Sequence, residues 1–349
     1  MVNIKDVAKQ ADVAISTVSR VLNNKDKVSE KTRKKVLRVV KELDYRPNII
    51  AQNLKRKHTN TIGIVIEEIS IPHATEIIKG LDSIASKANQ NLFLCDGDSS
   101  RSKIIKHMEV LTNRQVDGIV LSTGMGMYDE IKEVILKAQS QGIPVVLVSM
   151  DNKDLPVASV RASTAHQAET ITNYLLELGH KRIGIIGNYE KSFVARGNIE
   201  MYAKIMIDRG IFDESLIKYC AEDFEGKGKK YIDTILDNSA KSAIEFMKLE
   251  KPPSAIYAVG DLIMMGVEVG LSQIGAKIPD DISIIACCTP DFFTRAYANL
   301  TYLTVPCFEL GQTAMTHLLG QIKEQKVSGK MDVILNGNLI VKNSCKKLN

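Results

Sequence analysis

The 349-residue sequence predicts a small all-α head with helix-turn-helix spacing, a short hinge helix, and an α/β core of two lobes, each a doubly wound parallel sheet. Three observations carry this reading. Apolar residues recur at helical spacing in two short segments over residues 4–22. From residue 62 onward, short apolar runs alternate with amphipathic segments. Charge is shared unevenly: residues 1–60 hold 15 Lys/Arg against 6 Asp/Glu, a balance of +9, and the remainder carries −4. A basic head on a mildly acidic body points to a polyanion as the partner of the head alone.

Ile4, Val7, Ala8 and Ala11 share one face of a first helix, and Ile15, Val18, Val21 and Leu22 share one face of a second. Two short helices joined by about four residues, with Val13 buried between them, is helix-turn-helix spacing. In that motif the start of the second helix enters the DNA major groove, so Ile15, Ser16 and Arg20 are the first candidate base readers. An ordinary helical hairpin has the same spacing. The basic balance is what favours nucleic acid.

Ser29 and Glu30 can cap a third helix, with Val36, Val39, Val40 and Leu43 on its apolar side and Lys31, Arg33, Lys34, Lys35, Arg38 and Lys41 opposite. Pro47 ends it, because proline cannot continue a helix. Residues 48–57 are too short to be a stable helix alone, and residues 58–61 read as a linker. The expected boundaries are 1–47 for a DNA-binding domain, 48–61 for hinge and linker, and 62–349 for the core.

Within the core, strands are expected over residues 62–66, 92–95, 118–121, 145–148, 183–187, 255–259 and 283–287. Helices are expected over 76–89, 103–114, 129–141, 167–178, 199–209, 261–274 and 308–324. Apolar strands alternating with helices mean parallel sheets covered on both faces. Roughly 290 residues are too many for one comfortable sheet, hence two lobes. The crossing is expected around residues 151–156, with lobe 1 over about 62–160 plus 290–322 and lobe 2 over about 161–289 plus 323–345. Ligands in such folds bind at the carboxyl ends of the strands, here the cleft between lobes.

Hydrophobic content of 44% and charged content of 25% suit a soluble globular chain, and no apolar run approaches the ~18 residues a membrane span needs. No signal peptide is recognisable, so a cytoplasmic protein is expected. The six cysteines include no Cys-x-x-Cys pair and no zinc spacing, and four sit in apolar runs, which suits buried thiols in a reducing compartment. No metal, cofactor or catalytic constellation is expected. A dehydrogenase would need a glycine fingerprint after the first core strand, where Glu67-Glu68-Ile69-Ser70 stands instead.

These residues resemble the LacI/GalR family of bacterial transcription regulators over nearly the whole chain. The motifs include Ile4-Lys-Asp-Val-Ala8, Thr17-Val-Ser-Arg-Val-Leu-Asn23, Val28-Ser-Glu-Lys-Thr-Arg33 and Tyr45-Arg-Pro-Asn48. Further along come Val116-Asp-Gly118, Gly142-Ile-Pro-Val-Val146, Leu178-Gly-His-Lys-Arg-Ile183 and Ile278-Pro-Asp-Asp-Ile-Ser283. The resemblance implies a homodimer on a pseudo-palindromic double-stranded operator, a hinge helix that folds on the DNA, and a core similar to periplasmic sugar-binding proteins. It implies base reading by Ile15, Ser16 and Arg20, the last suiting the O6 and N7 acceptors of guanine. Thr17, Ser19 and Asn23 grip phosphates or pack, and Tyr45 matches a phosphate-contacting tyrosine. In the hinge, Asn48 opens the segment, Ala51 lets two helices approach, Leu54 is a minor-groove wedge and Lys55 faces the backbone. The head departs from the family at Asp12-Val13-Ala14, where Gly-Val-Ser is usual; Ala14 lacks a capping oxygen, a loss of about 1 kcal/mol.

The expected effector cleft departs further. Ile71-Pro72-His73-Ala74 replaces Asn-Pro-Phe-Phe, Asn198 stands at the effector arginine, Gly260-Asp261 replaces Asn-Asp, and Ala286-Cys287-Cys288-Thr289 replaces Gly-Phe-Asp-Asp. His73, Arg196, Asn198, Phe224, Asp261 and Cys288 remain as candidate contacts, with helix capping the plainest role for Asp261 and packing for Cys287 and Cys288. A sugar is held by charged and bidentate hydrogen bonds, so an effector other than the usual sugars is expected. The expected function is a repressor with an unknown small-molecule effector. Control by a protein corepressor, a core with no ligand, and a non-specific nucleoid-type protein stay as alternatives.

Overall fold

The computed structural model describes residues 2–22, 28–45, 59–124, 129–152, 155–221, 229–289, 298–327 and 329–348. The chain forms two units, Met1–Thr59 and Asn60–Asn349. In the first, helices α1 (Ile4–Gln10), α2 (Ile15–Leu22) and α3 (Glu30–Glu42) enclose a core of Val7, Ala8, Ala11, Val18, Val21, Val36 and Val39. Val13 is only half-buried against that core. A capping box starts α1: Asn3 Oδ1 accepts from the N–H of Lys5 at 2.8 Å, and Asp6 Oδ2 accepts from the N–H of Asn3 at 2.9 Å. Ser29 Oγ accepts from the Thr32 N–H at the start of α3, as expected from the sequence.

The second unit contains two six-stranded sheets. The first holds β1 (Thr61–Ile66), β2 (Asn91–Asp96), β3 (Gly118–Ser122), β4 (Val145–Val148), β5 (Ala158–Ala162) and β11 (Met331–Leu335) in the order β11-β5-β4-β3-β1-β2, all parallel. Ile62, Ile64, Val120 and Val146 face helices α4 (Pro72–Ala85) and α11 (Cys307–Glu324), while Val65, Ile119, Leu121 and Val145 face α5 (Arg101–Asn113) and α6 (Asp129–Ser140). Burial on both faces explains why these strands are continuously apolar. The α4 and α11 backbones touch at Gly80 and Gly311, where an added Cβ would collide with the Phe308 or Ile77 carbonyl.

The second sheet holds β6 (Ile183–Gly187), β7 (Ile217–Tyr219), β8 (Ala255–Val259), β9 (Ser283–Cys288), β10 (Thr301–Thr304) and β12 (Leu339–Ile340) in the order β12-β10-β9-β8-β6-β7. Only β12 runs antiparallel. Helices α7 (Thr164–Glu177) and α8 (Phe193–Asp208) cover the Ile185, Tyr257 and Ile285 face; α9 (Lys229–Met247) and α10 (Asp261–Gln273) cover the Ile186, Ile256 and Ile284 face.

Two lobes and the seven expected strands are present, but the exchanges between lobes differ from the sequence reading. Residues 151–152 and 155–156 stay in lobe 1, because β5 follows them and pairs with β4; the first crossing comes after Ala162. β10 belongs to lobe 2 and β11 to lobe 1, each opposite to the expected assignment of 290–322 and 323–345, while α11 packs on lobe 1 and β12 joins lobe 2 as expected. The reason is edge pairing: β5 and β10 each leave one edge open, and the returning chain fills both in turn. Helix α9 and the short strands β5, β7, β10, β11 and β12 have no counterpart in the expected elements. Among the described residues, no helix is long and apolar enough to cross a membrane.

Candidate DNA-reading helix and effector cleft

Helix α2 buries Val18 and Val21 and leaves Ile15 45% exposed, an apolar side chain turned outward on a helix that has a core to join. Ser16 and Arg20, one turn apart on the same face, are exposed too, and Thr17 and Ser19 are half-buried. Tyr45 is half-buried against the head core. The expected base readers therefore share a solvent-facing surface, while Asn23, Asn48, Ala51, Leu54 and Lys55 lie outside the described residues.

The turn before α2 explains the departure at Asp12-Val13-Ala14 more fully than the missing cap does. Asp12 takes φ 48°, the left-handed region where glycine carries no Cβ penalty. Ala14 is the cap residue by its carbonyl, which accepts from the N–H of Thr17 and of Val18. Ala14→Ser supplies the missing side-chain acceptor. It is expected to stabilise the head by about 1 kcal/mol, slowing amide exchange in α2 about fivefold.

In the second unit a cleft opens at the carboxyl ends of both sets of strands. It is lined by Glu67 after β1, Thr123 and Gly124 after β3, Arg161 on β5, Asn188 after β6, Asp261 after β8, Cys288 and Thr289 at the end of β9, and Cys307 after β10. This is where parallel α/β sheets place ligands, since the loops there diverge from a rigid edge. The two lobes meet across it: Gly124 O accepts from Ser192 Oγ at 3.2 Å and from the Phe193 N–H at 3.3 Å. Glu67, buried, accepts from the Gly124 N–H at 2.6 Å and the Thr123 hydroxyl at 2.9 Å, so this carboxylate holds the loop that carries the contact.

Three of the six expected effector contacts are in the cleft wall: His73, Asp261 and Cys288. Part of His73 stays accessible, yet desolvation holds its imidazole pKa down to about 4, so it is a neutral ring. Asp261 is 6% exposed, and burial raises its pKa to about 6 against the opposing pull of its Thr289 hydrogen bonds. It does not cap α10. The cap residue is Gly260, and the two Asp261 oxygens accept the Thr289 N–H and hydroxyl, each at 2.9 Å, tying α10 to the end of β9. Cys287 and Cys288 point to opposite faces of β9, as expected. Burial pushes the Cys287 thiol up to about 12, and pushes Cys288 and Cys307 higher with Asp261 nearby. All three are neutral thiols with little thiolate character.

Two expected contacts are elsewhere. Arg196 is exposed on α8, beside Glu200 at 4.0 Å, because it sits two residues from Asn198 and so on the other side of the helix. Asn198 is fully buried beneath the cleft floor, not in its wall. Its Nδ2 donates to Gln167 Oε1 at 3.1 Å and Val194 O at 2.9 Å, and its Oδ1 accepts from the Tyr257 hydroxyl at 2.5 Å. Phe224 lies outside the described residues.

The sequence reading missed Arg161, Phe193 and Glu67. Arg161 donates from Nε and Nη2 to the two Asp332 oxygens at 2.9 and 2.7 Å and lies 5.5 Å from the Phe193 ring centroid. Recognising residues 158–162 as a strand would have exposed Arg161, since it stands at a carboxyl end. Among the described residues, no group of three or more His, Cys, Asp or Glu side chains could hold a metal ion.

Comparison with known proteins agrees with both units. The family described as bacterial regulatory proteins, lacI family, matches residues 3–48, and a periplasmic binding protein-like domain matches residues 172–345. The HTH-type transcriptional regulator RegA of Clostridium saccharobutylicum is 32% identical over 98% of this chain and 98% of its own length. The HTH-type transcriptional regulator DegA of Bacillus subtilis is 32% identical over 99% of this chain and 98% of its own. In fold, the chain is similar to the Lac repressor dimer bound to operator and the anti-inducer ONPF, with a TM-score of 0.80, 21% identity and 99% of each chain covered. These relatives are regulators, not enzymes. By motifs, fold and relatives together, the chain belongs to the LacI family of bacterial DNA-binding transcriptional regulators.

Proposed function

We propose that this chain is a cytoplasmic repressor that binds a pseudo-palindromic operator as a homodimer and is controlled by a small molecule, other than the usual sugars, in the interlobe cleft. The observation that carries the DNA reading is the outward face of α2, where Ile15, Ser16 and Arg20 stand exposed while Val18 and Val21 hold the helix from behind. No ion pair engages Arg20 among the described residues, so its guanidinium is available for a guanine edge. Thr17, Ser19 and Tyr45 contribute phosphate contacts or packing, and the resemblance alone brings Asn23, Asn48, Ala51, Leu54 and Lys55 into the interface. The effector reading is supported by the commitment of Arg161, Asp261 and Glu67, three charged groups of the cleft, to protein partners instead of to an open ligand position.

Arg20→Ala is expected to weaken operator binding by about 1–3 kcal/mol and to relax selectivity at one base pair per half-site. Binding-site selection from random DNA, followed by gel-shift titration of wild type and variant, measures both. An equal loss on every sequence would remove base reading from Arg20. A wild type with no more than about tenfold preference for any selected site would replace the operator reading with non-specific, nucleoid-type binding.

A further inference from the structure

The interlobe cavity holds about 160 Å³. A cavity of about 150 Å³ takes benzene, so the space suits a compact molecule built on one six-membered ring. Polar positions stand open in its wall. Ser122 at the end of β3 and Thr164 at the start of α7 are 5% and 9% exposed, and among the described residues neither side chain has a hydrogen-bond partner. Asn188 donates its amide to the Tyr231 hydroxyl at 2.6 Å, which leaves its buried Oδ1 an acceptor without a donor.

Charge in this wall is lopsided. Arg161 is its one cation among the described residues, and both oxygens of Asp332 hold that guanidinium at 2.9 and 2.7 Å. His73 adds no positive charge near neutral pH, since burial holds its pKa down to about 4. Glu67 is engaged by the Thr123–Gly124 loop. Asp261, in the other lobe, meets only neutral donors: each oxygen takes one from Thr289 and keeps further acceptor capacity. Burial raises its pKa to about 6, and no cation offsets that burial. A carboxylate in this position attracts a cation strongly, because little water screens the pair, and repels an anion for the same reason.

Resting on the cleft as the effector site, we infer that its ligand is a compact organic cation about the size of one six-membered ring, with an ammonium group that pairs with Asp261 and no negative charge. An ammonium group is all donors and no acceptor, which suits a wall whose open positions include a carboxylate, the Ser122 and Thr164 hydroxyls and Asn188 Oδ1. Ile71, Ile235, Val259 and Val305 pack around the hydrocarbon part. The two hydroxyls also pair with hydroxyl groups of a ligand, so the wall selects the sign of the charge and does not exclude polar substituents.

Isothermal titration and thermal shift of the full chain test this with three probes of one size, cyclohexylamine, cyclohexanol and cyclohexanecarboxylate, and with ribose. The buffer is at about pH 7.5, where the Asp261 carboxyl is ionised. The expected result is saturable one-to-one binding of the amine, cyclohexanol weaker by about tenfold or more, and no binding of the carboxylate, because only the amine adds charge attraction. Asp261→Asn should weaken the amine about tenfold and leave the alcohol within about twofold, and the cleft-filling Val305→Phe should abolish both. The unligated melting temperature of each variant is measured alongside. If Asp261→Asn does not fold, the wild-type order of the three probes decides. Amine and alcohol bound alike, or the carboxylate bound tightest, overturns the inference, as does amine binding undiminished in Asp261→Asn or Val305→Phe. Ribose binding without amine binding overturns the ligand class, and its loss in Val305→Phe keeps the cleft as effector site. If no probe binds, the class fails, and the operator affinity of Val305→Phe separates the two readings. A change there keeps the cleft in control of DNA binding; no change removes that too.

Discussion

Asn198→Ala is expected to cost roughly 2–4 kcal/mol of core stability while leaving any cleft ligand bound. Asn198 is 0% exposed, and three partners close around its amide. Truncation strands Gln167 Oε1 and takes from the Tyr257 hydroxyl its oxygen acceptor. That hydroxyl keeps only the Cys287 sulfur at 2.9 Å, a weaker partner. Each stranded buried group costs about 1–3 kcal/mol, more than one surface hydrogen bond contributes. Urea unfolding followed by circular dichroism gives the loss. A variant of unchanged stability that has lost a ligand would return Asn198 to the role its position in the motif suggests.

The second large effect is a pH dependence divided between two groups facing one cleft. The Asp261 pKa is raised from 3.8 to about 6 by burial, so its contribution to stability is fully present below pH 3.8 and is lost as pH rises through 6. The His73 pKa is lowered from 6.5 to about 4, so its contribution is present above pH 6.5 and is lost as pH falls through 4. Each amounts to about 3 kcal/mol at about 1.4 kcal/mol per unit, and over the shared window they oppose each other. Wild-type stability should therefore hide both. Asp261→Asn removes one, so the stability of the variant relative to wild type should shift by about 3 kcal/mol in its favour between pH 4 and pH 7. His73→Gln should shift by a similar amount in its favour as pH falls from 7 to 4. Denaturant midpoints at the two pH values measure the differences directly, with the other carboxylates common to both chains. A gap that does not move with pH would mean that these groups titrate normally in the fold.

Parts of the cleft are legible in the sequence because they follow a positional rule. Asp261 and Cys288 stand just past or at the end of apolar runs, and a ligand cleft belongs at carboxyl ends of parallel strands. Arg161 obeys the same rule but sits on Ala158–Ala162, a strand with a single large apolar residue, Val160, to announce it, beside an Asp332 that is 171 residues away. Arg196 misled for a related reason: proximity in sequence says little about side, since two residues turn a helix by about 200°.

What the sequence determined by itself was everything with a local period or a local charge: three head helices, the outward face of α2, seven core strands and the presence of two lobes. These signals arise from which residues meet the backbone and water within a few positions of one another. Tertiary structure alone decided which lobe β10 and β11 complete, that Asp261 answers Thr289 instead of its own helix, and that Asn198 is an internal brace. Those outcomes depend on which open strand edge and which unpaired polar atom the returning chain reaches, and a partner distant in sequence leaves no period to read.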